Sequence, residues 1–386
     1  MDNKEKLKDI VEFIQRLYPG QHPVPLHAPV FQGNEKKYLE DCIDSTFVSY
    51  VGEYVIRFEE MIKKYTGAKY AVATVNGTSA LHVALLLLGV LPGDEVITQA
   101  LSFIGTVNSI SYSGAKPVFI DSEVSTLGMS PESLDEFLYR NTRFDEHGNC
   151  ININTLQKIS ACVPVHVLGH PCRIDKILEI CKKYNIKVLE DAAESIGSKY
   201  HGIHTGNFGT LGILSFNGNK TITTGGGGMI ITDDDELAKK AKHLTTTAKV
   251  PHPWEFIHDQ IAYNYRMTNV NAAIGCAQLE KIDLFIESKR RVAFQYKQFF
   301  QDIDIPFFNE PENAHSNFWL NAIFAENMAE RDLMLKYLND HGIQARAAWR
   351  LLNTLDMYKQ CETSDLSHAL SIQQRLINLP SSVKMV

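Results

Sequence analysis

Four short stretches of the chain set reactive or donor-rich side chains where turns are expected. Asn76-Gly77-Thr78-Ser79 lies between a β-rich run at 70–75 and an apolar helical run at 79–88. A glycine turn opening a helix offers unpaired N–H groups and the positive end of the helix dipole, and neighbouring hydroxyls add donors, which suits a phosphate. The competing reading is an ordinary capped helix, since Ser and Thr are preferred there for capping alone. Val188-Leu189-Glu190-Asp191-Ala192-Ala193-Glu194 puts carboxylates at the end of an apolar strand, where burial is costly without a partner. Asp191 is the candidate to face a cation such as a protonated ring nitrogen of a bound cofactor; a helix N-cap aspartate is the plainer alternative.

Ser215-Phe216-Asn217-Gly218-Asn219-Lys220 closes another strand, and Gly225 to Gly228 follow a few residues on. A lysine that attacks a carbonyl must shed its proton, so it wants a crowded, partly desolvated setting near other positive charge. The glycine run lets backbone approach a ligand closely. A surface lysine in a loop is the bland reading, and the tetraglycine between two strands counts against it. Tyr263-Asn264-Tyr265-Arg266-Met267-Thr268-Asn269 is dense in polar and aromatic groups; it suits either a helix start or contacts to a phosphate or substrate. Arg266 and Arg346 are candidates for a diphosphate, with a structural ion pair the equal alternative for Arg346. Trp319 and Trp349 read as core aromatics before stacking platforms. His27, His166 and His170 show no metal-ligand spacing, and no H-E-x-x-H occurs.

These stretches need strands to hold them. Runs at 70–75, 95–98, 117–120, 162–167, 187–189, 212–216 and 229–232 are β-rich, and helical patterns at 79–88 and 175–184 lie between them. Such alternation predicts an α/β fold with a mostly parallel sheet covered by helices, and ligands then gather beyond the carboxyl ends of the strands. One long helix is predicted over 266–289, then a strand at 319–324 and a helix at 329–341. The expected division is an N-terminal helix and arm (1–40), a large domain (41–270), and a linking helix with a small C-terminal α/β domain (271–386). Leu7, Ile10, Val11, Ile14 and Leu17 recur at helical spacing among charges, so the first segment reads as an amphipathic helix, not a signal peptide.

Composition narrows the partners. The 386 residues carry 38 Lys plus Arg against 45 Asp plus Glu, a formal charge of −7, which leaves no basic footprint for nucleic acid or an anionic membrane. The apolar stretch at 80–91 is interrupted by His82 and is too short to cross a bilayer. Seven scattered cysteines without a C-x-x-C pair point to reduced thiols, and the expected compartment is the cytoplasm.

In order and spacing, Gly-Thr-Ser, Glu-Asp-Ala-Ala, Ser-Phe-x-x-x-Lys with its glycine run, and Tyr-Asn-Tyr-Arg resemble the sugar aminotransferases of the DegT/StrS family, fold-type I pyridoxal-phosphate enzymes. The resemblance runs from about residue 25 to 382. It implies that Lys220 is the Schiff-base lysine and proton carrier, and that Asp191 pairs with the pyridine nitrogen. It sets Glu194 near the phenolic oxygen, Phe103 on the ring, and Gly77, Thr78, Ser79 and Ser215 around the phosphate. Asn264 is implied to reach the cofactor of a neighbouring subunit, hence a homodimer with shared active sites. L-glutamate and a keto nucleotide sugar are the implied substrates. Two departures stand out: Gly226 replaces a usual Glu, and Asn217 stands where a large branch has His. Both resemble the branch acting on UDP-2-acetamido-4-keto-2,6-dideoxyhexoses on the way to legionaminic acid or bacillosamine. A perosamine-type GDP sugar or a 3-keto TDP sugar is the alternative, and a non-catalytic regulator is the alternative of a different class.

Overall fold

The computed structural model describes residues 3–384. Seven strands form the central sheet: β1 (Tyr70–Thr74), β2 (Glu95–Gln99), β3 (Lys116–Ile120), β4 (Ile159–Val163), β5 (Lys187–Asp191), β6 (Leu211–Ser215) and β7 (Gly228–Thr232). Their order is β1-β7-β6-β5-β4-β2-β3. Pairing is parallel from β6 through β5, β4 and β2 to β3, while β7 runs antiparallel to both neighbours. The α/β expectation holds, and each of the seven β-rich runs overlaps a strand. The expected run at 162–167 starts earlier and stops at Val163, because Pro164 has no N–H to extend the ladder.

Strand interiors are buried on both faces, as a sheet covered by helices requires. Helix Gly77–Leu87 packs Ala80, Leu81, Val83, Ala84 and Leu85 against Val72, Leu189, Leu211, Ile213 and Ile230. That contact fixes its N-terminus over the ends of β6 and β7.

The predicted single helix over 266–289 is two helices, Asn269–Leu279 and Ile282–Asp302. Thr268 sets the first start by accepting from the Asn271 N–H. At the break, Lys281 leaves helical geometry (φ −114°, ψ 0°), and the Glu280 carboxylate binds Arg57, Tyr38 and Asn34. Arg266 therefore lies outside both helices, in an antiparallel bridge to Thr74.

A smaller three-stranded sheet (Asn321–Phe324, Leu376–Leu379, Arg346–Ala347) carries helices Met328–Asp340 and Ser367–Arg375. The N-terminal helix Asn3–Leu17 joins this part: Leu7, Ile10, Val11, Ile14 and Leu17 are buried with Val292, Tyr296, Met334 and Leu338. Among the described residues, no helix is long and apolar enough to cross a membrane. The cysteines are free thiols, all buried except the half-buried Cys361.

Candidate active site

The carboxyl end of β5 presents two acids to opposite faces, following strand alternation. Glu190 turns inward: its oxygens accept from Gly206, Phe208 and Gly209 N–H groups and lie 2.9 Å from His166 Nε2. Asp191 turns to the site. The Thr106 hydroxyl donates to its Oδ2 at 2.7 Å and the Ala193 N–H to its Oδ1 at 3.1 Å. Burial pushes the Asp191 carboxyl above the usual carboxylate range, against the pull of Thr106, Ala193 and the Lys220 charge. No cation among the described residues lies within ion-pair distance of it.

Lys220 rides on the excursion between β6 and β7. The excursion is closed at its base by Phe216 N–H to Gly227 O (2.9 Å) and Thr224 N–H to Phe216 O (2.9 Å). Its Nζ is 3.3 Å from Glu194 Oε1 and 4.1 Å from the centre of the Trp319 ring, with only 11% of the side chain exposed. The amine is thus turned inward and held between an anion and an aromatic face. Burial raises the Glu194 carboxyl, while Lys220 and the Leu168 N–H act in the other direction.

The hydroxyl-bearing residues meet at the start of helix Gly77–Leu87. Asn76 Oδ1 accepts from Ser79 N–H at 2.7 Å, leaving the Gly77 and Thr78 N–H groups without a protein acceptor among the described residues. A methyl built on Gly77 would fall 3.1 Å from Ser215 Cβ, so Ser215 sits directly on this turn. One built on Gly105 would fall 3.0 Å from Thr78 Oγ1 and 3.2 Å from the Phe103 ring. Phe103, 54% exposed, therefore lies beside Thr78, one turn ahead of the Thr106 that grips Asp191.

Gly77, Thr78, Ser79, Phe103, Asp191, Glu194, Ser215 and Lys220 are accordingly gathered at one end of the sheet. Asn217 lies on the exposed rim, its amide bonded to Asn219. Asn264 and Arg266 lie alongside the end of β1, where Tyr265 O accepts from Val75 N–H at 2.8 Å: Arg266 donates twice to Asn264 Oδ1 and stacks on Tyr50 at 3.6 Å. Arg346 is exposed in the smaller sheet and bonds Asn339 and Ala345 O. No group of three or more metal-ligating side chains occurs among the described residues.

Sequence reading missed Thr106, whose hydroxyl grips Asp191, and Trp319, read as core. Trp319 is buried, yet its ring faces Lys220 and its Nε1–H donates to Asn219 O at 2.7 Å. Neither has a local signal, since both act across long stretches of chain. The four glycines after the lysine divide by need. Gly225 has φ +80°, and a methyl on Gly227 or Gly228 would fall 2.3 Å from Thr224 Oγ1 or 2.5 Å from the Asn76 backbone. A methyl on Gly226 meets only Val75 O, at 4.0 Å. Gly228→Ala is expected to cost about 1–3 kcal/mol of stability by overpacking, and Gly226→Ala less than about 0.5 kcal/mol. Urea unfolding of both variants checks the contrast; equal losses would refute it.

Residues 29–386 match the model of the DegT/DnrJ/EryC1/StrS aminotransferase family. The chain is 38% identical over 358 residues to GDP-perosamine synthase of Escherichia coli O157:H7, covering 93% of each protein. It is 36% identical over 361 residues to GDP-perosamine synthase of Vibrio cholerae, covering 93% of this chain and 94% of that protein. The crystal structure of aminotransferase TlmJ from Streptoalloteichus hindustanus superposes with a TM-score of 0.83 at 25% identity, over 93% of both chains.

Proposed function

Because this chain belongs to the DegT/DnrJ/EryC1/StrS aminotransferase family, pyridoxal-phosphate enzymes of nucleotide sugars, we propose that it moves an amino group from L-glutamate to the keto carbon of a perosamine-type GDP sugar. The observation that carries this reading is the inward-turned Lys220 amine beside Glu194, close to a buried Asp191 that has no cation of its own.

The residues fit the cofactor. The donor-rich start of helix Gly77–Leu87, with Thr78, Ser79 and Ser215, suits its phosphate. The exposed ring of Phe103 offers a stacking face. Asp191 is a buried anion that a ring N–H⁺ would satisfy. When bound, pyridoxal phosphate supplies the electron sink that lets an amino group leave one carbon and join another.

The remaining work falls to the protein. Asp191, fixed by Thr106 and Ala193, keeps the proton on the ring nitrogen. Lys220 Nζ takes the proton from the α-carbon of glutamate in the first half-reaction and returns one to the sugar carbon in the second. Glu194 anchors Nζ between transfers, and the Trp319 indole shields it from water. Asn264, exposed and bonded to Arg266, serves the site of a second copy, so the working unit is a homodimer. Arg266 and Arg346 are the cations offered to the diphosphate.

A UDP-2-acetamido-4-keto sugar is the second acceptor, favoured by Asn217 and Gly226 on the rim of the lysine excursion. Assaying purified enzyme with glutamate against 4-keto GDP-sugar, 4-keto UDP-2-acetamido sugar and 3-keto TDP-sugar decides between them. The GDP sugar is expected to give kcat/KM at least about tenfold above the others, since a correctly filled base pocket is worth ~1.4 kcal/mol or more. Preference for the UDP sugar would overturn the acceptor and leave the chemistry at Lys220 intact.

A further inference from the structure

Lys289 has no place in the chemistry above, yet it is 0% exposed in the middle of helix Ile282–Asp302. No carboxylate pairs with it among the described residues. Its Nζ instead donates to two backbone oxygens, Trp319 O at 3.1 Å and Ser381 O. Burial pulls its ammonium down to about 7. Placing an amine there is costly, and an apolar side chain of the same length would pack the helix at less expense. The two carbonyls it joins lie at the seam between the large and small sheets, in the segments before strand Asn321–Phe324 and after strand Leu376–Leu379.

What the seam holds is the indole over Lys220. Several further ties on that segment run to the lysine's own surroundings. Asn317 Nδ2 donates to Glu194 O and Ile196 O at 2.9 Å each, Asn317 Oδ1 accepts from Trp319 N–H at 2.8 Å, and Trp319 Nε1–H reaches Asn219 O. Phe318 is held at φ +46°, a left-handed geometry that a bulky residue keeps only when its neighbours are fixed. Two cations tie this segment: Arg290 donates to Ser316 O at 2.7 Å, and Lys289 is the one that reaches Trp319 itself, through its backbone carbonyl.

We propose that Lys289 is a positioning residue, which by joining the carbonyls of Trp319 and Ser381 fixes the indole face against the Lys220 ammonium. The inference rests on the reading of Lys220 given above. It assigns Trp319 the task of stabilising the charged amine whenever Lys220 is not bonded to cofactor. Charged or titratable groups facing Lys220 are Asp191 at the end of β5, Glu194 just beyond it, and His27 from the N-terminal arm, which lies near both Lys220 and Lys289. His27 has both ring nitrogens shut from solvent and unpaired; burial first, then Lys289 and Lys220, push it well below the usual histidine range.

The test uses cofactor-free full-length protein and the pH profile of acetic anhydride labelling at Lys220, read by peptide mass spectrometry. Losing the ring destabilises the ammonium, so Trp319→Leu is expected to move the profile down by about 0.5–1 in pH. Lys289→Met is expected to move it the same way, the double variant no further than either single one, and Lys289→Arg to restore the original profile. An unmoved profile in Lys289→Met overturns the proposal. So does an upward move, which loss of a nearby positive charge alone would give, and so do additive shifts in the double variant. Should Lys289→Met fail to fold, Lys289→Gln keeps one donor and is held to the same direction and non-additivity. Borohydride reduction of the loaded wild-type protein separates the two readings: a label elsewhere than Lys220 sinks the cofactor assignment, whatever the acetylation profile does.

Discussion

Lys220→Ala is expected to lower kcat/KM for transamination by at least about 10³–10⁴-fold, with borohydride no longer fixing cofactor to the protein. Removing a positioned acid–base group alone typically costs 10²–10⁴-fold, and here the same side chain is also the nucleophile. The amine is poised for both tasks, largely buried and held at 3.3 Å by Glu194. The substitution strips Glu194 of its cation. Burial already pushes that carboxyl upward, so it then binds a proton more readily. The vacated space beside Trp319 is open to small amines, and added ethylamine should restore part of the proton transfer without restoring the covalent label. Turnover within tenfold of wild type, or a label that persists on another lysine, would remove the central assignment.

The second large effect is expected for Asp191→Asn: a loss of about 10²–10³-fold in turnover, the scale seen when one preorganised electrostatic partner is removed. The side chain keeps its shape but loses its charge, and its new N–H₂ faces donors that now serve a carboxylate, the Thr106 hydroxyl at 2.7 Å and the Ala193 N–H at 3.1 Å. Cofactor affinity should fall as well, measurable by titrating pyridoxal phosphate into the apoprotein. Thr106→Val tests the supporting role; its loss should be several-fold and leave the covalent label in place. If Asp191→Asn retained turnover within about threefold, the ring nitrogen would have to be held by some other group.

The seven central strands were legible because each is a short apolar run between turn residues, and the residues at their ends followed at once. Gly77, Asp191 and Lys220 each announce themselves by a local pattern. Thr106 does not: it is one threonine in an ordinary helix, and only the parallel pairing of distant strands brings it to Asp191. The partners of Trp319 and Lys289 were hidden for the same reason, since they lie 100 and 92 residues away in the chain. The break between the helices ending at Leu279 and starting at Ile282 also escaped, because its cause is a tertiary tie of Glu280 to Arg57 and Tyr38, not a glycine or proline.

The stitching of Ser316–Trp319 has a mechanical meaning. In sequence this segment leads into the smaller sheet, but Ser316 Oγ binds Gly169 O, Asn317 binds Glu194, Ile196 and Ser198, and Trp319 binds Asn219, all from the larger part. A lid that swung on this connection would have to tear those bonds and drag the indole off the lysine. Those bonds hold the two parts together across this joint, and the exposed side of the cluster is the rim where Asn217 and Phe103 stand.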